Sequence, residues 1–170
     1  MKPDPAYWNV DEQAAELLQA LVHTHQPKEI LEVGTSNGYS AIMMGAIASR
    51  YGGKITTIEY FEERVKLAHE NIHAAGLSQT IQILKGDATD ILPSLTKKFD
   101  FFFLDANKEE HVLYFGHVMR LANPGAIIVA DNTISHRKKL SEFFEAVERE
   151  QRAKALELSI GTGLMVITVQ

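Results

Sequence analysis

Apolar and polar residues along this chain follow two periods that alternate from one end to the other. Five segments carry apolar side chains three and four positions apart, which is the spacing of one helical face. In the first of them Ala14, Leu17, Leu18, Leu21 and Val22 share that face. The pattern predicts helices over residues 11–23, 39–50, 62–75, 109–121 and 139–150.

Short runs rich in apolar and β-branched residues lie between and after these helices and are typical of strands. They cover residues 29–33, 54–58, 81–84, 99–104, 126–130, 155–159 and 164–169. The runs before Gly34 and around Phe102 and Ile128 are almost continuously apolar, as parallel strands buried on both faces should be. Only a short joint around Gly161 and Gly163 separates the last two strands, which allows an antiparallel hairpin and excludes a parallel crossover.

Strands that alternate with helices predict an α/β fold with a doubly wound, Rossmann-like sheet. We expect seven strands, mostly parallel, with an antiparallel strand at the C-terminal end. Residues 1–170 are interpreted as one domain, because no linker, repeat or low-complexity tract interrupts them. Tyr7 and Trp8 are expected to anchor the first helix.

The amino-acid composition narrows the classes of function. Hydrophobic residues make up 45% of the chain, which is normal for a globular protein. The absence of cysteine removes thiolate chemistry and leaves oxygen or imidazole as ligands for any metal. Seventeen basic and 22 acidic residues give a net charge of -5, which argues mildly against a nucleic-acid partner. Without a signal peptide or a bilayer-spanning run of roughly 20 residues, a cytoplasmic protein with no membrane partner is expected.

A glycine-containing turn after the first predicted strand is a candidate ligand site. The sequence from Glu32 to Ser40 is Glu-Val-Gly-Thr-Ser-Asn-Gly-Tyr-Ser. Gly34 and Gly38 let the backbone approach a ligand, at the strand end where α/β sheets bind ligands. The second strand ends at Glu59, whose carboxylate can accept both hydroxyls of a ribose. Together these features indicate that the turn binds an adenosine-type ligand. The alternative is a tight strand-to-helix turn that binds no ligand.

The spacing of the glycines separates two classes of adenosine ligand. Dinucleotide sites use G-x-G-x-x-G, in which a third glycine permits close helix packing. Here the spacing is G-x-x-x-G, and Ser36 occupies the position of the middle glycine. The turn therefore favours S-adenosylmethionine over a nicotinamide cofactor.

Polar side chains follow the fourth and fifth predicted strands. Asp105 comes after the fourth strand, and Asp131 and Asn132 come after the fifth. The ends of adjacent parallel strands lie on one rim, roughly 5 Å apart. Two carboxylates and an amide oxygen there suit a hard cation such as Mg²⁺, which lowers the pKa of a hydroxyl group that is to be methylated. The alternative is that both aspartates only cap their strands.

The chain from about residue 10 to residue 169 resembles the cation-dependent O-methyltransferase family, which includes catechol and caffeoyl-CoA O-methyltransferases. The family motif L-E-I-G-T-x-x-G-Y-S is matched by Leu31 to Ser40, and F-I-D-A-D-K is matched by the six residues that end at Lys108. The resemblance implies a class I methyltransferase that uses S-adenosylmethionine and a divalent cation. It also implies a small hydroxylated molecule as the methyl acceptor.

The resemblance assigns the cofactor-binding residues. It implies that the turn binds the cofactor through Glu32, Gly34, Thr35, Ser36, Gly38, Tyr39 and Ser40, with Ser40 on the methionine part. Glu59 matches the acid that holds the ribose, and Tyr60 matches the residue that packs on the adenine. The family segment G-D-A that lines the adenine pocket is matched by Gly86, Asp87 and Ala88. For Tyr60, an ordinary aromatic residue at a strand end is an equal alternative.

The resemblance also assigns the metal-binding and catalytic residues. Asp105, Asp131 and Asn132 match the metal ligands, and Asp105 is expected to border the cofactor as well. Lys108 matches the proposed general base, so Lys108 and Asp105 are the predicted catalytic residues. A solvated lysine at a helix start is the alternative for Lys108. The basic run 136–139 is interpreted as a solvated face, with a phosphate- or CoA-binding patch as the lesser option.

The chain departs from the family in sequence and in length. Asn107 replaces the second Asp of D-A-D-K, His111 stands where Tyr is common, and Thr162 stands where G-D-G-L has an acid. Family members carry extra N-terminal helices and a longer insert after the D-N pair, so the acceptor pocket is expected to be open or completed by a homodimer partner. A metal-independent enzyme acting on nitrogen or RNA, and a non-catalytic cofactor-binding module, stay open as alternatives.

Overall fold

The computed structural model describes residues 9–170, so the predicted contacts of Tyr7 and Trp8 lie outside it. Seven strands form one sheet: β1 (Glu29–Val33), β2 (Lys54–Glu59), β3 (Ile81–Lys85), β4 (Phe99–Leu104), β5 (Ala122–Asp131), β6 (Ala153–Leu158) and β7 (Leu164–Val169). Their order across the sheet is β3-β2-β1-β4-β5-β7-β6. Strand β7 pairs antiparallel with both β5 and β6, and the other pairs are parallel. The predicted doubly wound α/β sheet with an antiparallel C-terminal strand is confirmed.

Within the described residues, six α-helices cover the two faces of this sheet: α1 (Glu12–His25), α2 (Tyr39–Ala48), α3 (Glu62–Ala74), α4 (Ala88–Ser94), α5 (His111–Leu121) and α6 (Ser141–Arg149). Helices α1 to α3 form one apolar core with the sheet, and α4 to α6 form the other. Strand β4 serves both cores, because Phe101 and Phe103 face the first and Phe102 and Leu104 face the second. This explains its continuous apolar run. Among residues 9–170 no helix is long and apolar enough to cross a membrane.

Two elements differ from the sequence-based prediction. Helix α4 was not predicted, because seven residues with Pro93 inside are too few to show a helical period. Asp87 begins this helix as its N-cap, and its Oδ1 accepts hydrogen bonds from the Thr89 amide and hydroxyl. Strand β5 begins at Ala122, earlier than predicted, and its register with β4 shifts between Phe99 and Phe101. That irregular stretch accommodates Pro124, which has no N–H to donate to the ladder.

The position of the ligand site follows from the strand order. Strands β1 and β4 are neighbours, but the helices that follow them, α2 and α5, lie on opposite faces of the sheet. The two connections therefore diverge and leave a crevice at the carboxyl ends of the strands.

Candidate functional site

A cleft of about 760 Å³ opens at the carboxyl ends of β1, β2, β4 and β5. It unites most of the residues that the sequence nominates in two separate groups, the glycine turn and the metal-binding set. The predicted residues that line it are Gly34, Thr35, Ser36, Ser40, Glu59, Tyr60, Gly86, Asp87, Ala88, Asp105, Lys108 and Asn132.

Four predicted site residues lie behind the lining of this cleft within the described part of the chain. Gly38 is the N-cap of α2 with a left-handed φ of 87°, which favours glycine, whereas a Cβ there would make only an ordinary contact with Ala68 at 3.5 Å. Tyr39 is buried in the core that α1 shares. Neither residue lines the cleft, and contact of these two with the cofactor stays a prediction. Glu32 and Asp131 are buried too, and each supports a lining residue through hydrogen bonds.

The glycine turn is held against two neighbouring strands. The amides of Gly34 and Thr35 both donate to the Ile58 carbonyl of β2, at 3.0 and 3.2 Å. Gly34 has φ 105°, and a Cβ on it would come within 2.3 Å of the Asp105 carbonyl oxygen. Only glycine allows this approach, because the obstructing atoms belong to the backbone. The turn is therefore fixed between β2 and the segment that carries Asp105.

Glu59 joins the turn to the end of β2. Its Oε2 accepts a hydrogen bond from the Ser36 amide at 2.8 Å, and its Oε1 accepts one from the Phe61 amide at 2.9 Å. The carboxylate is almost completely buried, yet it borders the cleft. Each carboxylate oxygen has a second lone pair, so hydroxyl donors in the cleft can still be accepted. The binding of a ribose by Glu59 stays a prediction.

Aromatic and acidic groups border the cleft beyond Glu59. Tyr60 is 61% exposed and packs edge-to-face on Phe61, with ring centroids 5.1 Å apart. Its face is thus accessible to a planar ring, although no contact assigns it that role. Asp87 uses Oδ1 to cap α4, which keeps the Gly86-Asp87-Ala88 segment in one conformation at the cleft.

A buried carboxylate lies directly beneath the turn. The Ser40 hydroxyl donates to Glu32 Oε1 and the Thr57 hydroxyl donates to Oε2, both at 2.5 Å. The Thr35 and Thr57 hydroxyl oxygens are 2.6 Å apart. Burial raises the pKa of Glu32 to about 7, the two hydroxyl hydrogen bonds oppose this, and Asp105 and Glu59 add to it.

The other end of the cleft carries two buried aspartates and a lysine. Lys108 Nζ lies 2.5 Å from Asp105 Oδ1, and both side chains are largely buried. Burial raises the pKa of Asp105, although Lys108 and His136 act in the opposite direction. Burial also raises the pKa of Asp131 to about 6, with repulsion from Asp105 as the next cause. This end of the cleft therefore has more buried negative charge than one lysine balances, which favours a bound cation.

Thr162 also belongs to the site, although the sequence did not nominate it as a functional residue. Its hydroxyl donates to Asp131 Oδ1 at 2.9 Å and accepts from Asn132 Nδ2 at 2.9 Å. Because the hydroxyl has only one hydrogen, the Asn132 amine must face Thr162, which leaves the Asn132 carbonyl oxygen for another partner. The sequence showed only that Thr162 replaces an acid of the family motif. In the structure its hydroxyl holds both Asp131 and Asn132 by hydrogen bonds.

The donor set at this end fits a hard divalent cation. Carboxylate oxygens of Asp105 and Asp131 and the amide oxygen of Asn132 are the ligand types that Mg²⁺ prefers. Within residues 9–170 no three His, Asp or Glu side chains cluster to hold a metal, so the amide oxygen would have to complete the protein's share. Metal binding by these three residues remains a prediction.

Several cleft residues were not nominated as ligand contacts by the sequence. They are Asn9, Val10, Arg64, Glu110, Tyr114, His136, Lys139 and Thr162, among others. His136 and Lys139 belong to the run interpreted as a solvated face, and they are exposed while also bordering the cleft. Asn9 also lines the cleft, and its buried Nδ2 atom has no hydrogen-bond partner among the described residues.

Comparison with known proteins agrees with this geometry. A family model described as O-methyltransferase matches residues 2–168. The chain belongs to the O-methyltransferase family. A catechol O-methyltransferase of Niastella koreensis is 42% identical over 138 residues, which are 79% of this chain and 62% of that protein. The chain thus spans less than two thirds of that relative's length.

Solved structures of family members have the same fold. An O-methyltransferase from Bacillus cereus in complex with SAH (S-adenosylhomocysteine) superposes with a TM-score of 0.87 at 29% identity, covering 98% of this chain and 84% of that one. The O-methyltransferase TomG from Streptomyces achromogenes in complex with SAM (S-adenosylmethionine) superposes with a TM-score of 0.87 at 28% identity, covering 95% and 82%. Both agree with the class I methyltransferase fold that the resemblance implies.

Proposed function

We propose that this chain is an S-adenosylmethionine-dependent O-methyltransferase that methylates a hydroxyl group of a catechol- or phenol-like small molecule with the help of a divalent cation. The observation that carries the proposal is the single cleft that joins the glycine turn and Glu59 to Asp105, Lys108 and Asn132. A methyl donor bound at the first group and an acceptor bound at the second would share this one cleft. Family membership and the relatives named above support the same activity.

At the donor end, S-adenosylmethionine supplies the methyl group as a sulfonium, which makes it electrophilic. The backbone of Gly34 and Thr35 provides close approach, and Glu59 offers acceptor lone pairs to the ribose hydroxyls. The Gly86-Asp87-Ala88 segment and the exposed face of Tyr60 border the space left for the adenine. The net effect of these residues is to orient the methyl donor, which lowers the entropic part of the barrier to transfer.

At the acceptor end, a divalent cation would lower the pKa of the acceptor hydroxyl and fix its oxygen. Asp105, Asp131 and Asn132 are the residues that would hold it. Lys108 lines the same end and pairs with Asp105. To take the hydroxyl proton its amine must be neutral, and the divalent cation and the sulfonium, both positive, would favour that form over the ion pair. Thr162 keeps Asp131 and Asn132 in place. The identity of the acceptor, a homodimer and the single-domain assignment stay predictions.

The experiment that tests the activity compares wild type with Asp131→Asn. Wild type should bind S-adenosylmethionine by calorimetry and methylate a catechol in a Mg²⁺-dependent reaction. Asp131→Asn should keep the cofactor affinity and lose turnover by at least tenfold, because one metal ligand loses its charge. Asp90→Asn, an exposed carboxylate on α4, is the matched control and should behave as wild type. Undetectable cofactor binding, or turnover that survives EDTA, would contradict the proposal.

Glu59→Gln tests the assignment of the ribose end. The amide keeps the size of the side chain but replaces one acceptor oxygen with a donor, which faces either the Ser36 or the Phe61 amide. We expect SAH affinity to fall by about tenfold in calorimetry, since a lost hydrogen bond to a charged group has that magnitude. Glu62→Gln, at the exposed start of α3, is the control. Unchanged affinity in Glu59→Gln would remove Glu59 from the cofactor site.

A further inference from the structure

His111 is a buried polar residue that the proposed mechanism does not use. It begins α5, and its side chain is completely buried. Nδ1 lies 2.9 Å from the Asn107 carbonyl oxygen, and Nε2 lies 3.4 Å from the Leu104 carbonyl oxygen. The imidazole therefore spans the two ends of the aspartate turn, which is the name used here for residues 104–107.

The two carbonyls belong to the peptide units that lead into the predicted catalytic residues. The Leu104 carbonyl and the Asp105 amide form one planar unit, and the Asp105 amide donates to the Val33 carbonyl at 2.9 Å. The Asn107 carbonyl and the Lys108 amide form the other planar unit. A contact that fixes the second carbonyl therefore also fixes the point from which the Lys108 side chain begins.

The imidazole has one N–H to offer to these carbonyls. Burial lowers the pKa of His111 to about 4, with Lys108 acting in the same direction, so the ring is neutral near pH 7. The shorter contact, to Asn107, assigns the hydrogen to Nδ1. The Asn107 carbonyl also accepts the Glu110 amide at 3.1 Å, so two donors fix its direction.

Two aromatic rings hold the imidazole in place. Its centroid lies 5.7 Å from that of Tyr114 on α5 and 5.8 Å from that of Phe143 on α6, and both neighbours are buried. The turn that this ring braces leads into the Asp105–Lys108 pair, whose Nζ and Oδ1 atoms are 2.5 Å apart. A shift of the turn would therefore move both members of the pair within the cleft.

We propose that His111 is a positioning residue for methyl transfer, because its N–H holds the Asn107 carbonyl and thereby places Asp105 and Lys108 at the acceptor end of the cleft. His111 does not line the cleft, so it acts only through these two residues. The inference rests on the proposed function, which gives Asp105 the cation and Lys108 the hydroxyl proton.

Two substitutions separate the donor from the ring. His111→Phe keeps the aromatic packing and removes the N–H. His111→Asn loses most of the ring and keeps a donor bonded directly to Cγ, as Nδ1 is. For methylation of a catechol, kcat should fall by about tenfold or more in His111→Phe and by less than about threefold in His111→Asn, since groups that orient a metal ligand have effects of that size. The KM for S-adenosylmethionine should stay within about twofold in both, because the donor end of the cleft is unchanged.

Binding of Mn²⁺ gives a readout that does not depend on turnover. Mn²⁺ takes the same oxygen ligands as Mg²⁺ and can be titrated by calorimetry into protein saturated with SAH. Its affinity should fall by about tenfold in His111→Phe and stay near the wild-type value in His111→Asn, because the turn carries the ligand Asp105. The ¹⁵N NMR spectrum of the wild-type imidazole at pH 7 should show the hydrogen on Nδ1.

His117 on the same helix provides the matched control, since it does not line the cleft. His117→Phe and His117→Asn should leave kcat and the Mn²⁺ affinity at their wild-type values. Thermal unfolding measures the stability of every variant. His111→Gln carries its donor one bond further out, as Nε2 does, and should lose as much kcat as His111→Phe. It keeps the test decisive if His111→Phe fails to fold.

The outcomes separate this role from the proposed function. Unchanged kcat in His111→Phe and His111→Gln, or kcat that follows thermal stability with His111→Asn as impaired as the others, would overturn the role of His111 alone. A wild-type hydrogen on Nε2 would do the same. Wild-type protein that neither binds SAH nor methylates a catechol would overturn the proposed function, and the positioning role with it.

Discussion

Gly34→Ala should destabilise the fold by about 4 kcal/mol and eliminate measurable SAH binding. The new Cβ would lie 2.3 Å from the carbonyl oxygen of Asp105 and 2.8 Å from its carbon. Backbone atoms cannot move aside by changing rotamer, so the turn or the strand end must shift. The left-handed φ of 105° adds strain of about 1–3 kcal/mol, and overpacking adds a further 1–3 kcal/mol or so.

Gly52→Ala is the matched control for this substitution. Gly52 also has a left-handed backbone, with φ 79°, but no atom lies within 4 Å of the position that a Cβ would take there. Gly52→Ala should lower the free energy of unfolding by about 1–2 kcal/mol, because only the backbone strain remains without a steric clash. Urea unfolding of both variants measures the difference. If Gly34→Ala and Gly52→Ala lose equal free energy of unfolding, the close approach between the segments after β1 and β4 does not constrain the turn.

The sequence was sufficient to predict the architecture, because each strand carries its own signal. The run Phe-Asp-Phe-Phe-Phe-Leu predicts a strand buried on both faces, and β4 supplies side chains to both cores. Helix α4 lacked such a signal. It depends on the Asp87 cap and on burial of Leu92, which only the tertiary structure supplies.

Site residues that directly follow a strand could be predicted from the sequence. Those whose position depends on a contact with a distant segment could not. Asp105 and Glu59 follow their strands directly, and both border the cleft. Tyr39 lies in the same motif, but the helical turn after Gly38 directs it into the core. Thr162 is 31 residues from Asp131, and only the pairing of β5 with β7 brings them together.

Buried polar groups were the least predictable, because the sequence does not reveal which way a side chain points. The sequence nominated Glu32 as a ligand contact but did not reveal that its carboxylate accepts hydrogen bonds from two hydroxyl groups below the turn. His111 was noted only as a departure from a family tyrosine. In the structure it is a completely buried histidine at the start of α5.

His111 should make the folded state lose stability as the pH falls below about 6.5. Burial lowers its pKa to about 4, Lys108 acts in the same direction, and the carbonyls of Asn107 and Leu104 oppose them. Between pH 6.5 and pH 4 the unfolded chain binds a proton at this position and the folded chain does not. The stability attributed to this group is therefore complete above pH 6.5 and is lost progressively below it.

The size of this effect follows from the separation of the two pKa values. A shift from 6.5 to about 4 corresponds to about 3 kcal/mol at full protonation of the unfolded state, and to about 2 kcal/mol at pH 5. Glu32 and Asp131 act with the opposite sign, since their raised pKa values favour proton uptake by the folded state. The wild-type profile alone therefore combines opposing contributions.

His111→Phe isolates the histidine from these acids. The ring it replaces packs 5.7 Å from Tyr114 and 5.8 Å from Phe143, so an aromatic side chain suits the site. The variant is expected to be less stable at pH 7, because the backbone carbonyl that accepts the imidazole N–H is left unpaired. Its deficit relative to wild type should shrink by about 2 kcal/mol at pH 5 in urea unfolding. His69→Phe, on the exposed side of α3, should show no such change of deficit. If the stability deficit of His111→Phe is the same at pH 7 and pH 5, the histidine takes up its proton as readily in the folded chain as in the unfolded one.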